Sequence, residues 1–284
     1  MRKLKSLLLS LAFVAFSSTV AYAETSSTAS TPATTTASSP ADLIVPSASG
    51  AAQNFSPAQT KAIEKIIHDY LIANPQVIVD AVNVLQQQQQ NAMVNKAQQA
   101  IVTNAKQIFA DQSSPVTGNA NGSVVLVEFF DYQCPHCKDM AGTVAALSQK
   151  YPQLKVIYKE FPIFPNSDYI AKAALASQAQ GKYQQFHAAL MAAADPVTKD
   201  KVLEIAKSIG LNVTQLQKDM DNATYSTEIN NTTQLADTLG LQGTPAFIVG
   251  SQIDLNNPKA MKVTFVPGQV PQSALDSLIA EALK

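Results

Sequence analysis

The chain has 284 residues, 46% of them hydrophobic, with 20 Lys and Arg against 21 Asp and Glu for a formal net charge of −1. That balance excludes a strongly basic nucleic-acid binder and an acidic solvating tail, and the length allows one sizeable domain beside a smaller one. Only two cysteines are present, too few for a small secreted fold stapled by disulfides.

Arg2, Lys3 and Lys5 precede the apolar run Leu7–Phe16, and Ala21-Tyr22-Ala23 follows. This is the pattern of a secretory signal peptide over 1–23, cut after Ala23. The apolar run falls short of the roughly 20 residues a membrane span needs, and no cysteine follows it to carry a lipid. Residues 24–54, dominated by Ser, Thr, Ala and Pro, read as a disordered linker.

The pattern changes at Ser56. Ser56-Pro57-Ala58-Gln59 supplies an N-cap, a first-turn proline and a capping-box glutamine. Ile63, Ile66, Ile67, Tyr70 and Leu71 then recur at helical spacing. Asn74-Pro75 ends this helix and opens another, whose stripe is Val77, Ile78, Ala81, Val82 and Leu85. Gln86–Gln90 reads as a solvated stretch, and Ile101, Ala105, Ile108 and Phe109 extend the period. So few helices bury their own apolar faces poorly. Their partner is either the following domain or the same segment of another chain, and 55–112 is read as a helical oligomerisation region.

Residues 113–123, with Pro115, Gly118 and Gly122, read as a loop opening a last domain over 113–284. Val124–Phe130 reads as a buried strand. Cys134-Pro135-His136-Cys137 then starts a helix running to about Lys150, and Val156–Phe161 is a second strand. A helical block within about 167–239 precedes two further strands, Ala246–Val249 and Lys262–Val266, and a closing amphipathic helix, Pro271–Leu283. Strand–helix–strand, helical block, strand–strand–helix is a split α/β layout.

Two cysteines three residues apart close too small a loop to constrain an unfolded chain much, so the pair points to reactivity. A thiol attacks as thiolate, and a helix N-terminus favours the thiolate through its free N–H groups and dipole. Cys134 is placed there as the nucleophile. Pro135 suits the first turn, His136 adds a donor that can be cationic, and Cys137, one turn on, is the resolving thiol. The rival reading of C-x-x-C is half a zinc site. Only His68, His136 and His187 could complete it, and none has the paired spacing of a finger.

Cys134-Pro135-His136-Cys137, with Gly243-Thr244-Pro245-Ala246 before a later strand, resembles the active site of the DsbA family of bacterial periplasmic thioredoxin-like proteins. The resemblance runs from about Val116 to Lys284 and includes AALASQAQGKYQQFHAALM, similar to the family's inserted helices. It implies a thioredoxin-like α/β fold with an inserted helical subdomain, preceded by the helical oligomerisation region. It implies that Pro245 is cis and that Thr244 lies against the Cys134 sulfur, where an extended substrate can add as a strand. It matches Glu128, six residues before Cys134, to a buried acid that takes and returns the Cys137 proton; a solvent-facing strand carboxylate is the alternative. No cofactor is implied beyond a redox-active Cys134–Cys137 disulfide.

The segment LIANPQVIVDAVNVLQ resembles the N-terminal helices of the Com1-like and ScsC-like branch, which a monomeric DsbA-type oxidase lacks. Thr244 before the proline resembles the disulfide isomerases. The expectation is therefore a periplasmic homodimer that forms and isomerises disulfides in secreted client proteins, served by a membrane redox partner and binding no nucleic acid. A redox-independent holdase and a copper- or zinc-handling protein are the alternatives.

Overall fold

The computed structural model describes residues 55–284; the expected signal peptide, 1–23, and linker, 24–54, lie outside the described residues. The chain divides into two compact units at Ile67/His68. In the first, Ser56 begins helix α1 (Pro57–Ala73). Its N–H donates to Gln59 Oε1 at 2.9 Å, and the Gln59 N–H donates to Ser56 Oγ at 3.4 Å, the reciprocal bonds of a capping box. Ile63 and Ile66 are exposed.

In the second unit Asn74 closes α1 by donating its side-chain amide to the Tyr70 carbonyl at 2.9 Å. Helix α2 (Gln76–Thr103) follows Pro75, and a short α3 spans Ala105–Phe109. The apolar pattern of α2 divides along its length. Val77, Ile78, Val82 and Leu85 are exposed, whereas Ala97 and Ile101, with Ala105, Ile108 and Phe109 of α3, are buried.

Five strands form one sheet in the order β1-β3-β2-β4-β5: β1 (Val116–Gly118), β2 (Val124–Phe130), β3 (Leu154–Glu160), β4 (Ala246–Ser251) and β5 (Lys262–Pro267). Strands β2 and β3 are parallel, so the chain must cross over between them, which it does through α4 (Pro135–Lys150). The other pairs are antiparallel. Between β3 and β4 lie α5 (Ser167–Ala176), α6 (Tyr183–Met191), α7 (Lys199–Ser208), α8 (Val213–Met220) and α9 (Ala223–Leu239); α10 (Gln272–Ala282) closes the chain.

Strand β1 falls inside the segment read as loop. With three residues and only Thr117 buried, it has no period to detect. It ends at Gly118, whose φ is +70° and where a Cβ would lie 2.5 Å from the Leu154 carbonyl oxygen, so only glycine fits without strain.

Alternation along β2 gives the sheet two apolar faces. Val124, Leu126 and Phe130 pack with α4, α5–α8 and α10; Val125, Val127 and Phe129 pack with the end of α2, α3 and the end of α9. A buried polar seam joins α3 to the sheet. Lys159, 1% exposed on β3, donates to the Gln107 carbonyl at 3.0 Å and to Asp111 Oδ2 at 2.7 Å. Glu228 on α9 accepts from Ser113 and, at 3.0 Å, from Ser114. The whole is the thioredoxin-like α/β arrangement expected from the sequence, with α5–α9 as the inserted helical block.

Candidate active site

The C-terminal end of β2 delivers the chain into α4 through Asp131-Tyr132-Gln133. Cys134 is the N-cap of α4, in extended conformation (φ −81°, ψ 117°), and Pro135 occupies the first turn. Because the first turn of a helix has no internal acceptors for its N–H groups, those donors face the cap. Cys134 Sγ also lies 3.3 Å from the Thr244 carbonyl oxygen, in the loop before β4. The Thr244–Pro245 peptide is cis. The expected residues Cys134, Pro135, His136, Cys137, Thr244 and Pro245 are thus brought together from chain segments more than a hundred residues apart.

Both cysteines are buried and neither forms a disulfide. The Cys137 thiol hydrogen-bonds the Cys134 sulfur and holds its pKa down at about 5; burial opposes this, while the backbone N–H groups of Cys137 and His136 reinforce it. The same bond, with burial, pushes Cys137 well above the usual thiol range. The first thiol is therefore a thiolate near neutral pH and the second keeps its proton.

Glu128 is 1% exposed. It pairs with Tyr158 on β3 and Phe247 on β4 and shares the face of Leu126 and Phe130, which is the face that packs against Cys137 and Met140 of α4. Burial raises its carboxyl to about 8, and Oε1 has no hydrogen-bond partner. The solvent-facing alternative for this carboxylate does not hold.

His136 is exposed, and its Nδ1 lies 2.6 Å from Gln269 Oε1, in the loop after β5. An amide oxygen only accepts, so Nδ1 carries the proton. Gln269 Nε2 reaches Asp139 Oδ2 at 3.4 Å, and the Gly268 N–H donates to the Pro245 carbonyl at 2.9 Å. His68 is exposed on α1. His187 is buried, with its pKa lowered to about 3 by desolvation, and its Nδ1 lies 3.1 Å from the Tyr132 hydroxyl. Among the described residues no three His, Cys, Asp or Glu side chains gather as metal ligands.

Three polar groups near the cysteines escaped the sequence reading. Asp131 is buried and accepts from the Gln133 N–H at 2.7 Å, the Ile163 N–H at 2.7 Å, the Phe164 N–H at 2.9 Å and the Ser167 hydroxyl at 2.5 Å. It ties the loop before Cys134 to the loop after β3. Glu160 accepts from the Tyr132 and Tyr183 hydroxyls at 3.0 and 2.9 Å, and burial raises its carboxyl. Gln269 lies 133 positions from His136. Asp131 alone had a sequence signal, an acid three residues ahead of a helix-opening cysteine.

A family model described as DSBA-like thioredoxin domain matches residues 125–280, and one described as Copper resistance protein ScsC N-terminal domain matches residues 59–92. The thiol:disulfide interchange protein DsbA of Bordetella pertussis is 28% identical over 163 residues, 51% of this chain and 72% of that protein. A thioredoxin-like oxidoreductase from Silicibacter pomeroyi is 38% identical, covering 63% of this chain and 98% of that one with a TM-score of 0.57. Salmonella enterica Typhimurium BcfH is 28% identical, covering 82% of this chain and 100% of that one with a TM-score of 0.64. The Na(+)/H(+) antiporter NhaA 3 of Salinispora tropica is 25% identical over 140 residues; the match spans 48% of this chain but only 22% of that relative's length.

Proposed function

Since the chain belongs to the family of DSBA-like thioredoxin domains, we propose that it is a thiol–disulfide oxidoreductase that forms and isomerises disulfides through Cys134 and Cys137. The observation that carries this reading is the Cys134 sulfur at the N-cap of α4, 3.3 Å from the Thr244 carbonyl, with its pKa at about 5. A thiolate favoured in the reduced protein makes the corresponding disulfide a stronger oxidant.

In oxidation, a client thiolate attacks Cys134 of the Cys134–Cys137 disulfide. The S–S bond breaks, a mixed disulfide forms on Cys134, and Cys137 leaves as a thiolate that takes a proton from Glu128. A second client thiolate attacks the client sulfur, forming the client disulfide and releasing the Cys134 thiolate with both electrons. A membrane redox partner then removes them. In isomerisation, the Cys134 thiolate attacks a wrong client disulfide and leaves when the client's own thiolate displaces it. Thr244, Pro245 and His136 border the reacting sulfur, so they hold the client and the thiolate in place.

The setting is the periplasm, reached with the expected signal peptide. Among the described residues no helix is long and apolar enough to cross a membrane. The exposed Ile63, Ile66, Val77, Ile78 and Val82, in and around the segment that matches the ScsC N-terminal domain, support a homodimer formed through the helical arm. A second reading follows from the name of that matching domain: copper held as Cu(I) by the two soft thiolates of Cys134 and Cys137.

The test uses a fully reduced and a scrambled disulfide protein as clients. Cys134→Ser is expected to abolish turnover of both, and Cys137→Ala to accumulate mixed disulfides that a gel without reductant resolves. Full activity of Cys134→Ser would sink the proposal. Stoichiometric Cu(I) binding with no disulfide turnover would favour the second reading.

A further inference from the structure

The hollow beside Thr244-Pro245 does not end at that loop. One hollow of about 300 Å³ is lined by Thr244, Pro245 and Phe265 and, from α2, by Gln90 and Met93. A second, of about 590 Å³, is lined by Gln86, Gln89, Lys96 and Gly240 and shares Gln90, Met93 and Gln242 with the first. The two form one trough from the cis-proline loop along the glutamine run of α2.

The chemistry of this trough is specific in one respect. Each glutamine amide offers a donor and an acceptor, the same pair that a peptide group offers. Gln86, Gln89 and Gln90 are exposed, and none has a side-chain hydrogen bond among the described residues. Thr244 Oγ1, at the other end, is buried without a partner. Met93 supplies a conformable apolar surface between them. A solvated helix face would need none of this continuity with the reacting sulfur, which touches Thr244 itself.

We propose that α2 forms a second wall of the client-binding groove, in which Gln86, Gln89, Gln90 and Gln242 hold the main chain of an extended client segment flanking the cysteine that reacts with Cys134. The recognition is of peptide groups and not of side chains, which suits clients of many sequences. It rests on the oxidoreductase reading above and adds to that site a main-chain contact outside the cis-proline loop.

The experiment uses the full chain and its Gln86→Ala/Gln89→Ala/Gln90→Ala variant, in which alanine favours the helix. The probe is a peptide of about ten residues, long enough at ~3.3 Å per residue to follow the trough. It is built from Ala, Ser and Gly around one cysteine held in disulfide with glutathione, made with and without N-methylated backbone amides, and turned over with excess reduced glutathione as the source of electrons. The wild type is expected to show a KM roughly fivefold to tenfold lower than the variant, the loss of one or two net hydrogen bonds. kcat and the Cys134 thiolate titration are expected to stay unchanged. N-methylation should raise KM for the wild type and not for the variant.

An equal KM in both proteins, with oxidised glutathione still turned over, overturns the trough and leaves the reaction standing. A shift of the Cys134 titration along with KM also overturns it, because the glutamines would then act through the reacting site. So does a fall in the variant's mass in solution, which would give the trough to a second copy of the chain. No turnover of any disulfide by the wild type brings down the reaction and the trough together.

Discussion

Glu128 shows how one buried group couples chemistry to stability. Its folded pKa is about 8 against an ordinary 4.5. A raised carboxyl pKa contributes stability that is fully present below about pH 4.5 and is lost as pH rises through about 8, because the unfolded chain ionises first. Between those limits the protein loses roughly 1.4 kcal/mol per pH unit. Glu128→Gln removes that slope. Urea titrations at pH 4, 7 and 9 are expected to show the variant gaining on the wild type across this window by a few kcal/mol in all. The same substitution slows release of Cys137 as a thiolate, so a stopped-flow trace should show mixed disulfide lasting longer. A parallel pH dependence in both proteins would remove Glu128 from the proton path.

Between elements, the site is held by polar ties that sequence alone did not display. Asp131 joins the approach to α4 with the loop after β3 through four hydrogen bonds. Asp131→Ala leaves three backbone N–H groups and a hydroxyl without their acceptor, and is expected to cost about 3 kcal/mol or more by denaturant titration. Asp131→Asn, which keeps an acceptor oxygen, should lose less. The strands β2–β5 and the helix after the cysteines were legible, because apolar runs and C-x-x-C before a helix are local signals; the pairing of Cys134 with Pro245 came only through the family resemblance. Strand β1 was not, since three residues carry no period. Gln269 was not, since its meeting with His136 depends on how β5 is placed against β4. The stripe of α1–α3 was legible as apolar but not in its partner, and the following domain takes only its end. The sheet covers Ala97 to Phe109, while Val77 to Leu85 stay open.

At the scale of the whole molecule, that division makes the end of the arm part of the core. Removing everything before Ser113 strips Ile101, Ile108 and Phe109 from the sheet and leaves Lys159 buried without Asp111. Burial of three such side chains is worth on the order of 5 kcal/mol, comparable with the whole stability of a modest domain. A chain beginning at Ser113 is expected to unfold at far lower urea than one beginning at Gln86, which keeps every buried residue of α2. Equal midpoints would show that α3 is dispensable. Because α2 is one 28-residue helix whose buried residues, Ala97 and Ile101, lie toward its far end, the stretch from Gln76 to Ala97 is a stiff beam about 30 Å long at 1.5 Å per residue. Two copies joined near Gln76 would therefore present their Cys134 sulfurs at a separation fixed by beam length and joint angle. The local concentration of one sulfur at a client held by the other would then be set by geometry, and would not fall off smoothly as it does with a flexible tether.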